Sequence, residues 1–163
     1  MGCSYITMKS KVRYSGYVKA ISIILPTVIL AAGIISIPEK PIMATLLSLF
    51  IILAWFAAFY GAAYISANEK EITLGSLLRR KRLLMRDVDS VVKFQPTLGA
   101  IRVCGSGGYF GYWGIYREGD TGRYYAFYGK SSECFLVKMK NGDKYVLGCE
   151  NCGEMREYID KLL

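Results

Sequence analysis

Hydrophobic positions are not spread evenly along this chain. Residues 18–67 are apolar almost without interruption, and Lys19, Glu39 and Lys40 are their only charges. Two stretches lie inside that block. The first, residues 18–37, is about 20 residues long and the second, 42–67, about 26, so at a helical rise of about 1.5 Å per residue each is long enough to cross a hydrocarbon core. The turn between them, Pro38-Glu39-Lys40-Pro41, is so short that two spanning helices must form an antiparallel hairpin. A cleaved signal peptide is the weaker reading of the first stretch, because its apolar run is long and a second follows at once. Pro26 predicts a kink in the first helix. Tyr60 and Tyr64, one helical turn apart near the end of the second, fit an interfacial aromatic belt.

After residue 67 the pattern changes to short runs of strand character with turn residues between them. Residues 71–78, 82–86, 90–94, 100–104, 123–128, 134–139 and 144–147 read as strands in a meander, with Pro96 and Gly99 as breakers. Asn141-Gly142 signals a two-residue hairpin. The chain ends in a predicted helix: Asn151 and Glu154 have the spacing of a capping box, and Met155, Tyr158, Ile159 and Leu162 form one apolar stripe. The fold class expected is α+β, with helix packed on antiparallel sheet. The chain divides into an N-terminal segment 1–17, a transmembrane hairpin (18–37 and 42–67) and a β-rich domain 68–163.

Three features stand out in the last hundred residues: residues 83–91, a short strand with Asp87 and Val88 before Val91; residues 101–114, rich in glycine and aromatics; and the hairpin leading into the last helix. Together they resemble the bacterial pleckstrin-homology (PH-like) domains, particularly small membrane-tethered ones: the first is similar to that family's short strand and Asp-Val turn, the second to a segment recurring in one bacterial group. The resemblance covers about residues 64–163. It implies a split β-barrel of about seven antiparallel strands capped by a C-terminal helix, and it implies no settled activity.

Charge sets the expected orientation. Net charge is +8, with Lys9, Lys11, Arg13 and Lys19 flanking the first stretch and Lys70, Arg79, Arg80, Lys81, Arg82 and Arg86 following the second. The turn has only Lys40. The positive-inside rule then puts both termini in the cytoplasm and the chain in the inner membrane as a two-span protein. After residue 67 sixteen Lys and Arg face twelve acids, an excess suited to an anionic membrane surface and too thin for a nucleic-acid stripe. Neither stretch holds a buried ionisable group once Lys19 snorkels, so the hairpin reads as an anchor rather than a transport path.

Candidate chemistry is sparse. The chain has no His, which removes the commonest general base and zinc ligand. The carboxylates Asp87, Asp89, Glu118 and Asp120 form no evident acid pair, so no enzyme and no cofactor are expected. Five cysteines, an odd number, do not suggest a disulfide framework. Cys149 and Cys152 have C-x-x-C spacing; a zinc site would need Cys104 and Cys134 as well, and a redox pair lacks Trp or Pro neighbours. Met1-Gly2-Cys3-Ser4 invites lipidation, but Ile6 stands where Ser or Thr is required. The glycine-rich segment lacks the Lys-Ser/Thr ending of a phosphate loop. Its glycines, Gly105, Gly107 and Gly108, are expected to bend a long hairpin. Its aromatics, Tyr109, Phe110, Tyr112, Trp113 and Tyr116, are too many for a small core, so some are expected at a contact surface.

These observations favour a non-enzymatic, membrane-anchored module that binds a protein partner or its own copies through this segment or a strand edge. Two alternatives remain open: anionic-lipid binding through Arg79, Arg80, Lys81, Arg82 and Arg86, and a thiol or zinc site at Cys149 and Cys152.

Overall fold

The computed structural model describes residues 7–36 and 41–163, except the side chains at positions 36, 41 and 55–58. The expected turn 37–40 and the lipidation motif at residues 1–6 lie outside the described residues.

A short strand, β1 (Met8–Lys11), precedes the first helix, α1 (Gly16–Ser36). Ser15 Oγ accepts the Val18 N–H at 3.2 Å, capping that helix. Residues Gly16–Ile35 make α1 long and apolar enough to cross a membrane. The second helix, α2 (Pro41–Ala58), begins on a proline, whose missing N–H costs nothing at a helix start. Its apolar stretch Ile42–Ala54 is shorter. The two helices approach at Gly33, where a Cβ would lie 3.7 Å from Leu47 Cβ.

The second apolar run is therefore not one span of 26 residues. The helix ends at Ala58, and Tyr64–Ala67 form strand β2. Ile65 and Ala67 are fully buried in the sheet core. A strand buried in protein and a helix buried in lipid are equally apolar, so hydropathy joined them. Tyr60 and Tyr64 consequently do not share a helix face; Lys9 Nζ sits 4.2 Å from the Tyr64 ring centroid.

The remaining strands are β3 (Glu71–Gly75), β4 (Arg80–Leu84), β5 (Val88–Lys93), β6 (Ile101–Gly108), β7 (Gly111–Glu118), β8 (Gly122–Tyr128), β9 (Cys134–Met139) and β10 (Lys144–Gly148), before helix α3 (Cys152–Asp160). Residues 68–163 thus hold eight strands where about seven were expected, and with β1 and β2 they form a four-stranded sheet ordered β1-β2-β3-β4 and a six-stranded sheet ordered β5-β9-β10-β8-β7-β6. Nor is the second sheet a meander. β10 lies between β9 and β8 and runs parallel to β8, with Tyr145 opposite Tyr125 and Leu147 opposite Phe127. Turn signals identify a hairpin but not the strand on its far side.

One core joins both sheets and α3. Ile65, Ile72 and Leu74 from the first sheet meet Phe135, Val137 and Leu147 from the second and Met155 and Ile159 from α3. The predicted stripe on α3 holds, with Tyr158 and Leu162 at the edge of that core. The capping box forms differently than expected: Asn151 Nδ2 donates to Glu154 Oε2 at 3.1 Å, without a side-chain bond to the helix backbone. A smaller cluster on the outer face of the second sheet, including Tyr116, Tyr124 and Tyr128, is packed by Phe94 from the connection before β6.

β1 decides where the helices leave. It pairs with β2, Met8 against Ala67 and Lys11 against Tyr64, so the chain entering α1 and the chain leaving α2 run side by side. Val12 N–H donates to Ala63 O at 2.9 Å, Tyr14 Oη to Ala62 O at 2.6 Å, and Ser15 N–H to Gly129 O at 3.1 Å. Both helices are tied to the same end of the sheets.

Candidate functional site

The glycine-rich segment is the β6–β7 hairpin. Gly105 and Gly114 face each other across it, with φ of 125° and 115°. A Cβ on Gly105 would stand 2.1 Å from Trp113 O, and one on Gly114 2.2 Å from Cys104 O. The backbones approach too closely for any side chain there.

The segment's aromatics divide into two groups. Tyr116 is buried, donates its hydroxyl to Ser106 O, and has its pKa pushed up to about 12 by burial. Tyr112 stacks on Tyr128 with centroids 4.9 Å apart, and Trp113 packs against the main core 6.2 Å from Tyr60. Tyr109 and Phe110 instead form the tip, edge to face at 4.9 Å and half-exposed. Gly105, Gly107 and Gly108 all lie in this hairpin, where Gly105 and Gly108 have positive φ.

The tip leans on α1. Phe110 N–H donates to Ser22 Oγ at 2.9 Å, and a Cβ on Gly108 would meet the Tyr17 ring at 3.0 Å. A second turn, residues 76–79 between β3 and β4, reaches the end of α2. There Ser76 Oγ donates to Tyr60 O at 3.0 Å and Leu78 N–H to Phe59 O at 3.4 Å.

The basic run does not form one cluster. Arg79 in the 76–79 turn and Arg80 at the start of β4 are exposed. Lys81 Nζ lies between the Tyr125 and Tyr145 rings, 4.4 and 4.6 Å from their centroids, where a cation is attracted to both π faces. Arg82 pairs with Glu71 at 3.6 Å. Arg86 lies past the far end of β4, beside Asp87 at 3.7 Å. A strand alternates its side chains between faces, so four consecutive basic residues cannot all point one way.

A family model described as a bacterial PH domain matches residues 63–162, well over half the chain. The chain belongs to the bacterial PH-domain family. No curated protein matches it, and no solved structure does. The match begins just before β2, so β1 and both helices precede the PH domain in sequence although β1 completes its first sheet.

Elsewhere in the PH domain the cysteines are poorly suited to thiolate chemistry. Cys149 directly follows β10 and Cys152 opens α3. Burial pushes their thiols up to about 11 and about 12, and pushes Cys134 up as well. A reactive thiol needs the opposite shift. Among the described residues no three Cys, Asp or Glu side chains are grouped to hold a metal, and Cys104 is exposed on β6, in the outer part of the second sheet. Glu118, one of the four carboxylates, is buried and occupied: it accepts Thr97 N–H at 2.9 Å, Thr97 Oγ1 at 2.5 Å and Tyr124 Oη at 3.3 Å.

The sequence reading places a strand at 100–104 without marking it as the outer strand of the second sheet. Among the described residues β6 pairs only with β7. Ile101 and Val103 on it are 68% and 58% exposed, and Leu98 just before it is fully exposed. Arg117 lies opposite Ile101 on β7, and Arg123 opposite Arg117 on β8, both exposed. The alternation was legible; that no strand follows outside β6 was not.

Proposed function

We propose that this bacterial PH domain is a non-enzymatic interaction module held at the inner face of the cytoplasmic membrane by the α1–α2 hairpin, with both termini cytoplasmic. Its two sheets and α3 fit the capped split barrel that the family resemblance implies. We propose further that it engages a protein partner by strand addition at β6. The observation that carries this reading is the unpaired edge of β6 with Leu98, Ile101 and Val103 exposed along it. An open edge presents a row of unpaired N–H and C=O groups, which soluble proteins usually protect with charge or proline. An added strand satisfies them and takes its specificity from alternate side chains. Exposed Arg102, Arg117 and Arg123 beside that edge favour an extended acidic segment with apolar residues at alternate positions.

The test uses the full chain in native membranes, with a photo-crosslinking residue in place of Leu98 or Ile101. Adducts to one protein at both positions are expected, and Val103→Lys should abolish them. Absence of an adduct at both positions, or adducts indifferent to Val103→Lys, would sink the reading.

Anionic-lipid binding is favoured by one observation, the exposed pair Arg79 and Arg80 beside the end of α2. Charge-driven binding of this kind falls as salt rises. Vesicle association that resists salt is not of this origin.

A further inference from the structure

Apolar and aromatic residues leave the fold at one end of the PH domain, on two separate turns. Leu77 and Leu78, 75% and 64% exposed, occupy the 76–79 turn bonded to Phe59 O and Tyr60 O beyond the end of α2. Tyr109 and Phe110 occupy the β6–β7 tip bonded to Ser22 of α1. Neither pair is inside either core cluster.

The tip also carries a conformational cost. Phe110 has φ of 49°, and among the described residues it alone has positive φ without being glycine. A bulky side chain is rare in that region, and such outliers persist where the surroundings hold them and often mark function. Here the Ser22 hydroxyl holds the strained residue's N–H.

The depth of this contact follows from helix geometry. Ser22 lies six residues after Gly16, the first residue of α1, or about 9 Å along the axis at 1.5 Å per residue. The polar zone of one leaflet is about 5–8 Å thick. If α1 crosses the bilayer from near its first turn, a side chain beside Ser22 lies at the boundary between headgroups and acyl chains. Aromatic rings favour that boundary.

We propose that the PH domain docks directly on the bilayer that its helices enter, burying Leu77, Leu78, Tyr109 and Phe110 at the headgroup–acyl boundary. Arg79 and Arg80 then lie level with the lipid phosphates. The partner is the lipid surface itself, and the contact is chiefly apolar, unlike the salt-sensitive attraction discussed above. This inference rests on the reading of α1 as a membrane anchor. With one end of the domain held to the membrane, the β6 edge around Leu98 to Val103 stays in the aqueous phase.

The test reconstitutes the full-length, unsubstituted chain in phosphatidylethanolamine–phosphatidylglycerol vesicles containing a phospholipid with a diazirine near the glycerol end of one acyl chain. After illumination, adducts are mapped by mass spectrometry. Adducts are expected on α1, on the peptide containing Leu77 and Leu78 and on the one containing Tyr109 and Phe110, at high and low salt alike, with none on Leu98 to Val103. Labelling of α1 without labelling of either turn would overturn the docking and leave the anchor intact. An unlabelled α1 would overturn the anchor and the docking together. Leu77→Ser with Leu78→Ser should remove adducts from the first turn while those on Phe110 persist; a parallel loss at both turns, with the fold intact by circular dichroism, would count against two separate insertions.

Discussion

Two glycine-turned hairpins in the second sheet are built on different principles. β9–β10 turns at Asn141-Gly142, where Gly142 has φ of 89° and Met139 N–H donates to Asp143 O at 2.8 Å. Every residue from Cys134 to Val137 and from Tyr145 to Gly148 is buried, because the main core covers one face of these strands (Phe135, Val137, Tyr145, Leu147) and the smaller cluster the other (Cys134, Leu136, Val146). In β6–β7, paired glycines set the shape, β6 is exposed over most of its length, and the tip rests on a helix outside the sheet. One hairpin is held by burial on both faces. The other is held by backbone stereochemistry and by α1.

The contrast breaks most readily on a core substitution. Phe135→Ala in β9 removes a fully buried ring and should cost about 3–5 kcal/mol. Ile101→Ala on the free edge should stay within about 0.5 kcal/mol. Denaturant unfolding of the full chain in detergent measures both, and similar losses would end the distinction.

Next in size come the glycines. A side chain at Gly114 combines positive φ with backbone atoms 2.2 and 2.7 Å away, whereas the same substitution at Gly142 meets nothing within 4 Å. Gly114→Ala should cost about 3 kcal/mol, and Gly142→Ala about 1 kcal/mol. Equal effects would mean that close approach does not shape the β6–β7 hairpin.

A smaller effect is expected from alkali. Buried Cys149 and half-buried Cys152 keep their protons in the folded chain up to about 11 and about 12, against 9.0 for an ordinary thiol, and Tyr116 up to about 12 against 10.0. Between those values the folded state binds more protons than the unfolded state. Its stability is therefore full below the ordinary pKa values and declines as pH rises through the window. The Tm should fall as pH rises from about 9 to about 12; a flat profile would show that these groups are not desolvated.

The gentlest probe leaves stability untouched. At about pH 8, maleimide should modify exposed Cys104 on β6 and spare Cys134, Cys149 and Cys152 until the chain unfolds. Labelling of Cys149 in the native state would contradict the burial of that side chain.

How much of this was legible in advance can be followed residue by residue. The Asn141-Gly142 turn and the Met155–Ile159 stripe are local patterns, and both appear where the pattern placed them. The α1 stretch is equally local, because length and hydropathy suffice to define an apolar helix. β1 and β2 were missed for opposite reasons. Met8 to Lys11 is a short polar strand that only pairing with β2 makes recognisable, and Tyr64 to Ala67 is apolar enough to pass as the continuation of a span. The candidate site fared similarly. The segment around Gly105 and Tyr109 stood out by composition, but nothing local indicated that Tyr116 turns inward while Phe110 meets Ser22, 88 positions away.

The sequence alone determined the apolar α1 and the amphipathic α3, the resemblance to the PH domains, the Asn141-Gly142 turn and the absence of histidine. Each depends on residue type or on spacing within one element. Tertiary structure decided the rest: that β10 enters between β8 and β9, that Lys81 leaves the basic run to lie between two tyrosines, that β6 ends its sheet, and that two apolar turns stand beside the helices. Those outcomes depend on which surfaces meet after the chain folds, and contacts between distant residues leave no periodic mark on either partner.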